Sequence, residues 1–269
     1  MPDWIAVIIL GIVEGITEFL PVSSTGHLLV AEHWLPKQTD LFNVVIQGGA
    51  VLAVIPLFRE RITSFVTRAS DPKTRDYFFK FAVAFVITGI GGFLWDKSGH
   101  KLPEKALPIA IALLVGGILF LVVEMYIRGK PLKDEITWQI AIAVGLGQLV
   151  AAILPGASRS GTTIILGLVL GATRPAITEF TFLVGIPTML AASGWKIFKE
   201  LRHHDPLAQP ENWKMVALCT VVSAIVSFIA VKWLLRYVQS HTFTLFGWYR
   251  IAAGAFIFIL ILLHSGNFS

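Results

Sequence analysis

Charge is scarce in this chain: only 14% of its 269 residues are Asp, Glu, Lys or Arg, against about 25% in a typical soluble domain. Cysteine is scarcer still, with Cys219 alone, which rules out an internal disulfide or a cysteine metal cluster. These shortages argue against a soluble globular protein, a disordered chain and a disulfide-stapled secreted domain. No Walker A motif is present, and Gly145-Leu146-Gly147 neither completes G-x-G-x-x-G nor follows a strand pattern, so nucleotide binding is discounted. There is no soluble domain, low-complexity tract or long linker. What fills the chain is apolar: 55% of it is hydrophobic, and the mean hydropathy is +0.73. A formal charge of +5 could suggest nucleic acid. The basic residues, however, sit in short loops between long apolar runs, which is the pattern of a polytopic membrane protein with no nucleic-acid partner.

A spanning helix needs about 20 mostly apolar residues. Six runs qualify: 41–58, 78–96, 106–126, 177–195, 213–235 and 245–263. Two more, 3–20 and 136–154, end in a Pro-containing polar motif, and each is followed by a short apolar stretch, 24–35 and 160–171. A stretch of that size rises only about 18 Å as a helix, at ~1.5 Å per residue, too little for a core about 30 Å thick. The short pieces therefore read as second arms of two re-entrant hairpins. Broken backbone at membrane depth is tolerated only inside protein or along a wet cavity, so the breaks mark the site. The first twenty residues lack a basic leader region and carry Glu14 and Glu18, so they read as part of the fold rather than as a cleaved signal. The tryptophans (4, 34, 95, 138, 195, 213, 233 and 248) all fall near proposed helix ends, as an interfacial belt requires.

Shifting the chain by 134 residues aligns Gly11 with Gly145, Leu20 with Leu154, Pro21 with Pro155 and Ser24 with Ser158, and sets Glu14 against Gln148. The expectation is a single membrane domain over 1–269 made of two repeats, about 1–134 and 135–269. A hairpin returns to its starting face and three spans follow it, so the second hairpin enters from the opposite face. The fold expected is an all-α, inverted-topology repeat with six transmembrane helices and two re-entrant helical hairpins. One face carries Lys37, Lys97, Lys101, Lys105, Lys196, Lys199, Arg202 and Lys214. The other carries Arg59, Arg61, Arg68, Lys73, Arg75, Lys80, Arg128, Lys130, Lys133, Arg174, Lys232, Arg236 and Arg250. The richer face is placed in the cytoplasm, which puts both termini outside.

The first break carries Glu14 and Glu18 on one helix face. Ionised carboxylates at membrane depth must be paired or bind a cation, and a hard divalent ion, Mg2+ or Ca2+, fits oxygen ligands. Pro21 ends the helix, and Ser23, Ser24 and Thr25 open the next one, where free N–H groups make an anion site. Capping alone would also account for the serines. Gly26 allows close approach of a ligand, and His27 titrates near neutral pH. The second break reads Pro155-Gly156-Ala157-Ser158-Arg159-Ser160-Gly161-Thr162-Thr163. An Arg at membrane depth needs an anion, and a guanidinium matches phosphate; a salt bridge to Glu14 or Glu18 is the alternative. Together these residues form a phosphoryl-handling constellation.

The stretches EGITEFLPVSSTGH (14–27) and PGASRSGTT (155–163) resemble the signature pair of the bacitracin-resistance family of undecaprenyl-pyrophosphate phosphatases. The similarity extends through FNVVIQGGAVLAV (42–54) and EFTFLVGIP (179–187) and covers essentially the whole chain. The resemblance implies an integral enzyme of the bacterial inner membrane. Its reaction would hydrolyse undecaprenyl diphosphate to undecaprenyl phosphate, recycled as a carrier for peptidoglycan, with dependence on a divalent metal and an active site open to the outer, periplasmic face. The family's acidic motif falls on Glu14 and Glu18, its serine on Ser24, its histidine on His27 and its arginine on Arg159. On this reading Glu18, Ser24, His27 and Arg159 are catalytic, and Glu14 and Glu18 hold the metal. Glu14, Ser23, Thr25, Gly26, Ser158, Ser160 and Thr163 bind the polyprenyl pyrophosphate. Ser24 attacks phosphorus or orients a water, and His27 and Glu18 manage protons.

A transporter or flippase of an anionic polyprenyl lipid is the rival reading, since inverted repeats and broken helices mark that class too. Gln47 lies mid-helix and either lines the site or bonds a neighbouring helix. Glu124 and Glu179 read as span-end residues that reach water, with Glu179 a candidate to support the site. His33, His100, His203, His204, His241 and His264 read as loop or helix-end residues, and Cys219 as apolar packing. Small-xxx-small patterns pack helices within one chain as readily as between two, which leaves a homodimer open.

Overall fold

A computed structural model describes residues 2–98, 105–202 and 212–263. Lys101, His100, His203, His204 and His264 lie outside the described residues. Eleven α-helices account for nearly all of what is described. In order they are α1 (Asp3–Thr17), α2 (Ser24–Trp34), α3 (Asp40–Val54), α4 (Arg59–Thr67), α5 (Pro72–Lys97) and α6 (Ala106–Ile127), followed by α7 (Trp138–Ile153), α8 (Arg159–Val169), α9 (Arg174–Arg202), α10 (Trp213–Tyr237) and α11 (Thr244–Leu263). Extended pairing among the described residues is confined to one bridge, Lys133 with Ala172, which ties the loop after α6 to the end of α8.

Six helices are long and apolar enough to cross a bilayer, each on an expected run. The first is longer than its run: it continues to Thr67. Pro56 has no N–H to give to the α ladder, so Ile55–Phe58 close as a 3-10 turn and the helix resumes as α4. The surface is that of a protein solvated by lipid. Val221, Ile225 and Ile229 of α10 and Ile111, Val115, Ile118 and Val122 of α6 point outward, while Glu14, Gln148, Thr163, Ser223 and Arg250 are buried. Seven of the eight tryptophans are exposed and Trp95 is half-buried, consistent with the interfacial belt.

α1 and α2 form one helical hairpin and α7 and α8 another. α1 packs along α10, α7 along α5, and α6 along α11. The α1–α10 contact needs glycine: a Cβ on Gly11 would lie 2.9 Å from the Cys219 carbonyl, and one on Gly15 2.8 Å from the Ser223 carbonyl. Ser227 then donates to the Gly15 carbonyl at 3.2 Å. This small-residue pattern is thus used within the chain, and the buried Cys219 packs in it. At the far end Glu124 is buried rather than wetted: it accepts from Arg174 and, at 2.7 Å, from the Phe243 N–H.

Gly15→Val is expected to push α1 off α10 and to cost about 1–3 kcal/mol, the usual range for overpacking. A lowered thermal unfolding midpoint in detergent checks this; an unchanged midpoint would show that α10 yields freely.

Candidate active site

The two breaks are built alike. Among the described residues, Ser23 and Ser158 are the non-glycine residues with positive φ, at 73° and 65°. Each caps the helix it precedes, accepting from Gly26 N–H at 3.4 Å and from Gly161 N–H at 3.2 Å. Such backbone costs about 1–3 kcal/mol per residue and persists only where the surroundings dictate it. The caps pair Ser158 with Ser23, one residue off the register in which the sequence aligns it with Ser24. In the capped register Ser24 and Arg159 are the equivalents: each opens its helix.

Both of these helix-opening residues reach Glu18. Ser24 Oγ donates to Glu18 Oε2 at 2.6 Å, and Arg159 Nη2 donates to Glu18 Oε1 at 2.8 Å. The N–H groups of Ser24, Thr25, Arg159 and Ser160 make no backbone hydrogen bond among the described residues, as expected of a helix's first turn. A narrow cavity borders this cluster, lined by Glu18, Phe19, Arg159, Ser160, Thr181, Phe182 and Gly185. The α9 wall is shaped by Pro187 inside that helix, and the Met189 sulfur touches Arg159.

Glu14, one turn before Glu18, is fully buried, and among the described residues no donor lies in hydrogen-bond geometry to either of its oxygens. Gln47, Glu18 and Arg159 are its polar neighbours, which places Gln47 beside the site. A carboxyl group left so needs a proton or a cation. Among the described residues no cluster of three His, Cys, Asp or Glu side chains exists. Two carboxylates beside a hydroxyl are oxygen donors of the kind that would hold a hard divalent cation.

The other expected site residues divide. Ser160 lines the cavity and donates to the Leu20 carbonyl at 3.2 Å, and Ser158 Oγ lies 3.2 Å from it. Thr163 is fully buried, donates back to Arg159 and Ser160 carbonyls and accepts from Thr181, so it braces α8 against α9. Gly26 packs close to Leu113. Thr25 is exposed. His27 is not brought against Ser24. Its Nδ1 lies 2.7 Å from the Ser23 carbonyl and its Nε2 lies 2.6 Å from Tyr249 Oη, with the two rings stacked 5.5 Å apart. A carbonyl can only accept, so Nδ1 is assigned the proton and Nε2 accepts from the tyrosine. Glu179 pairs with Arg61 at 2.7 Å, away from the cavity lining, and does not support the site.

Arg250 corrects the sequence reading most sharply. It was grouped with the loop cations, yet it is completely buried. One nitrogen donates to the Pro21 carbonyl at 3.2 Å; the other contacts the carbonyls of Ala112, Gly156 and Ala157 at 3.1–3.2 Å. One side chain of α11 therefore satisfies both breaks. The signal was present: Arg250 lies inside the run 245–263, where an Arg needs partners just as Arg159 does. Tyr249 had no such signal.

This is a polytopic α-helical membrane protein whose two broken helices bring two carboxylates, a hydroxyl and a guanidinium together. Residues 7–256 match the family model described as bacitracin resistance protein BacA. A protein of Rhizobium etli named undecaprenyl-diphosphatase is 51% identical over 95% of this chain and 96% of its own. One of Xanthomonas oryzae pv. oryzae with the same name is 47% identical, with the same coverage. The chain belongs to the BacA family.

Arg250→Met leaves the Pro21 and Gly156 carbonyls without a donor, while that of Ala157 still accepts from Thr162 and that of Ala112 lies within the α6 ladder, and at ~1–3 kcal/mol for a buried unmet group the expected loss is a few kcal/mol. Arg250→Lys, which cannot fork, is expected to recover only part of it. Denaturant unfolding in detergent measures both; a stable Arg250→Met variant would show that the breaks hold without it.

Proposed function

We propose that the protein is an undecaprenyl-diphosphatase of the bacterial cytoplasmic membrane, releasing phosphate from undecaprenyl diphosphate so that undecaprenyl phosphate returns as a carrier for cell-wall synthesis. The single observation that carries the chemistry is the Ser24–Glu18–Arg159 contact, in which a hydroxyl already hydrogen-bonds a carboxylate and a phosphate-matching guanidinium sits on that carboxylate's other oxygen. Family membership and the names of the relatives support the substrate.

In the proposed reaction the pyrophosphate takes Arg159 from Glu18, and the unspent N–H groups opening α2 and α8 receive its oxygens. Ser160 adds a hydroxyl from the cavity wall. Ser24 Oγ attacks the terminal phosphorus as its proton passes to Glu18, and the bond to the lipid phosphate breaks. Water then attacks the phosphoserine: the proton held by Glu18 returns to Ser24 Oγ as the P–O bond breaks, the water's proton passes to the carboxylate so regenerated and from there to solvent, and inorganic phosphate leaves. Glu14 and Glu18 would hold a divalent cation, Mg2+ or Ca2+, which when bound neutralises phosphate charge. His27 steadies the first turn of α2 through the Ser23 carbonyl and exchanges protons through the Nε2 it shares with Tyr249.

The halves are proposed to be inverted repeats, with both termini and the site opening on the periplasmic face. Three likenesses support this: the matched caps at Ser23 and Ser158, the paired contacts of α1 with α10 and α7 with α5, and the cation excess, which survives the removal of Arg250 from the count.

Phosphate release from undecaprenyl diphosphate by the purified protein is expected to need metal and to vanish with EDTA. Glu18→Gln, Ser24→Ala and Arg159→Ala should each lower kcat by about 10²–10⁴, and a labelled, acid-stable phosphoserine should be trapped at Ser24. Undiminished turnover in Ser24→Ala would replace it with a direct attack by water. No release from folded wild-type protein would favour the lipid transporter, tested by flux in liposomes. Tyr249→Phe, which frees Nε2 but keeps the ring, is expected to lower kcat by about tenfold, below the usual share of a general acid or base, with KM unchanged.

A further inference from the structure

A cavity of about 540 Å³ opens where α4, the start of α5, the start of α9 and the end of α10 meet. Arginine dominates its polar wall. Arg61 is committed: it donates to Glu179 at 2.7 Å and lies over the Tyr77 ring at 4.6 Å. Arg59 and Arg68 also line the cavity, and neither guanidinium has a partner among the described residues. With Glu179 matched to Arg61, Glu60 is the one carboxylate in the lining set against these two cations. Leu57, Phe58 and Leu235 add apolar surface to its wall.

This apolar surface leads toward the catalytic cavity. Phe58 meets Phe182 with ring centroids 6.2 Å apart, and Phe182 meets Phe19 at 5.7 Å, edge to face. Phe19 and Phe182 line the cavity at Glu18. All three rings are buried. A chain of three buried aromatic rings thus runs from one cavity to the other.

Two guanidiniums free of ion pairs in one cleft, at the two ends of α4, give it a charge that suits a dianionic phosphate better than a phosphodiester with its single charge. An apolar wall beside them suits a hydrocarbon chain. We infer that this cleft is a second binding site, for a dianionic phosphate group, carried by a lipid as its monoester or free as inorganic phosphate. Only the choice of ligand rests on the proposed activity, whose two products both carry such a group.

Native mass spectrometry of the full chain in detergent, with farnesyl monophosphate as probe, tests this. Wild-type protein should retain two equivalents. Arg159→Ala should lose the catalytic one, and Arg59→Gln/Arg68→Gln the other, with at least tenfold weaker binding there and phosphate release from undecaprenyl diphosphate unchanged. If inorganic phosphate displaces the cleft equivalent at equal concentration, the free anion is the ligand; if it does not, the lipid headgroup is. Two equivalents retained by the double variant would overturn the site, as would equal displacement by the phosphodiester phosphatidylglycerol. Failure of the phosphatase reading would show instead in the release assay and leave the Arg159→Ala count of one intact.

Discussion

A helix broken at membrane depth leaves carbonyls that no water can reach, and each such group costs several kcal/mol in hydrocarbon. Two helices are broken here, and both leave their carbonyls at the same place. The Arg250 guanidinium answers the problem with one group: it spans Pro21 of the first break and Gly156 and Ala157 of the second, and takes in Ala112 of α6. Gly116 leaves it room, since a Cβ there would fall 2.3 Å from its terminal nitrogen. Without that tie the helix starts that carry Ser24 and Arg159 have no common reference point.

Given the tie, the chemistry follows from helix starts. The caps at Ser23 and Ser158 are alike in backbone, and the residues that open α2 and α8 converge on one carboxylate. They differ in what they bring, a hydroxyl from one and a guanidinium from the other. Likeness of the caps supplies convergence, and unlikeness of side chain supplies the two tasks that the proposed reaction divides between them, attack and charge neutralisation. Rigid helices carry both, as a site with tight positional tolerance requires.

The spans were legible because length and hydropathy in lipid are nearly sufficient, and the breaks were legible because Pro21 and Pro155 stand beside residues that hydrocarbon does not tolerate. Glu18, Ser24 and Arg159 could be grouped for the same reason. The limits were geometric. Sequence spacing put His27 near Ser24, but the ring turns to Tyr249, and which way a side chain on α2 points depends on the packing of α11. Glu124 looked wettable at its span end; its burial is set by Arg174 and the Phe243 amide, partners far away in the chain. Arg59 and Arg61 looked like loop charges, because nothing in a run ending at Phe58 shows that a helix resumes beyond the Pro56 turn.

The His27–Tyr249 pair bears on how a very long lipid could use so small a cavity. Tyr249 is 46% exposed, on a span whose neighbours Leu245 and Trp248 are exposed as well. The outer edge of the pair therefore borders acyl chains rather than protein. Lifting a prenyl tail into water would cost about 0.8 kcal/mol per methylene-sized unit, a barrier no headgroup contact could offset. For the proposed polyprenyl substrate, a flank open to the bilayer would make a tunnel for the tail unnecessary: the headgroup would slide in sideways while the hydrocarbon stayed dissolved in the membrane throughout.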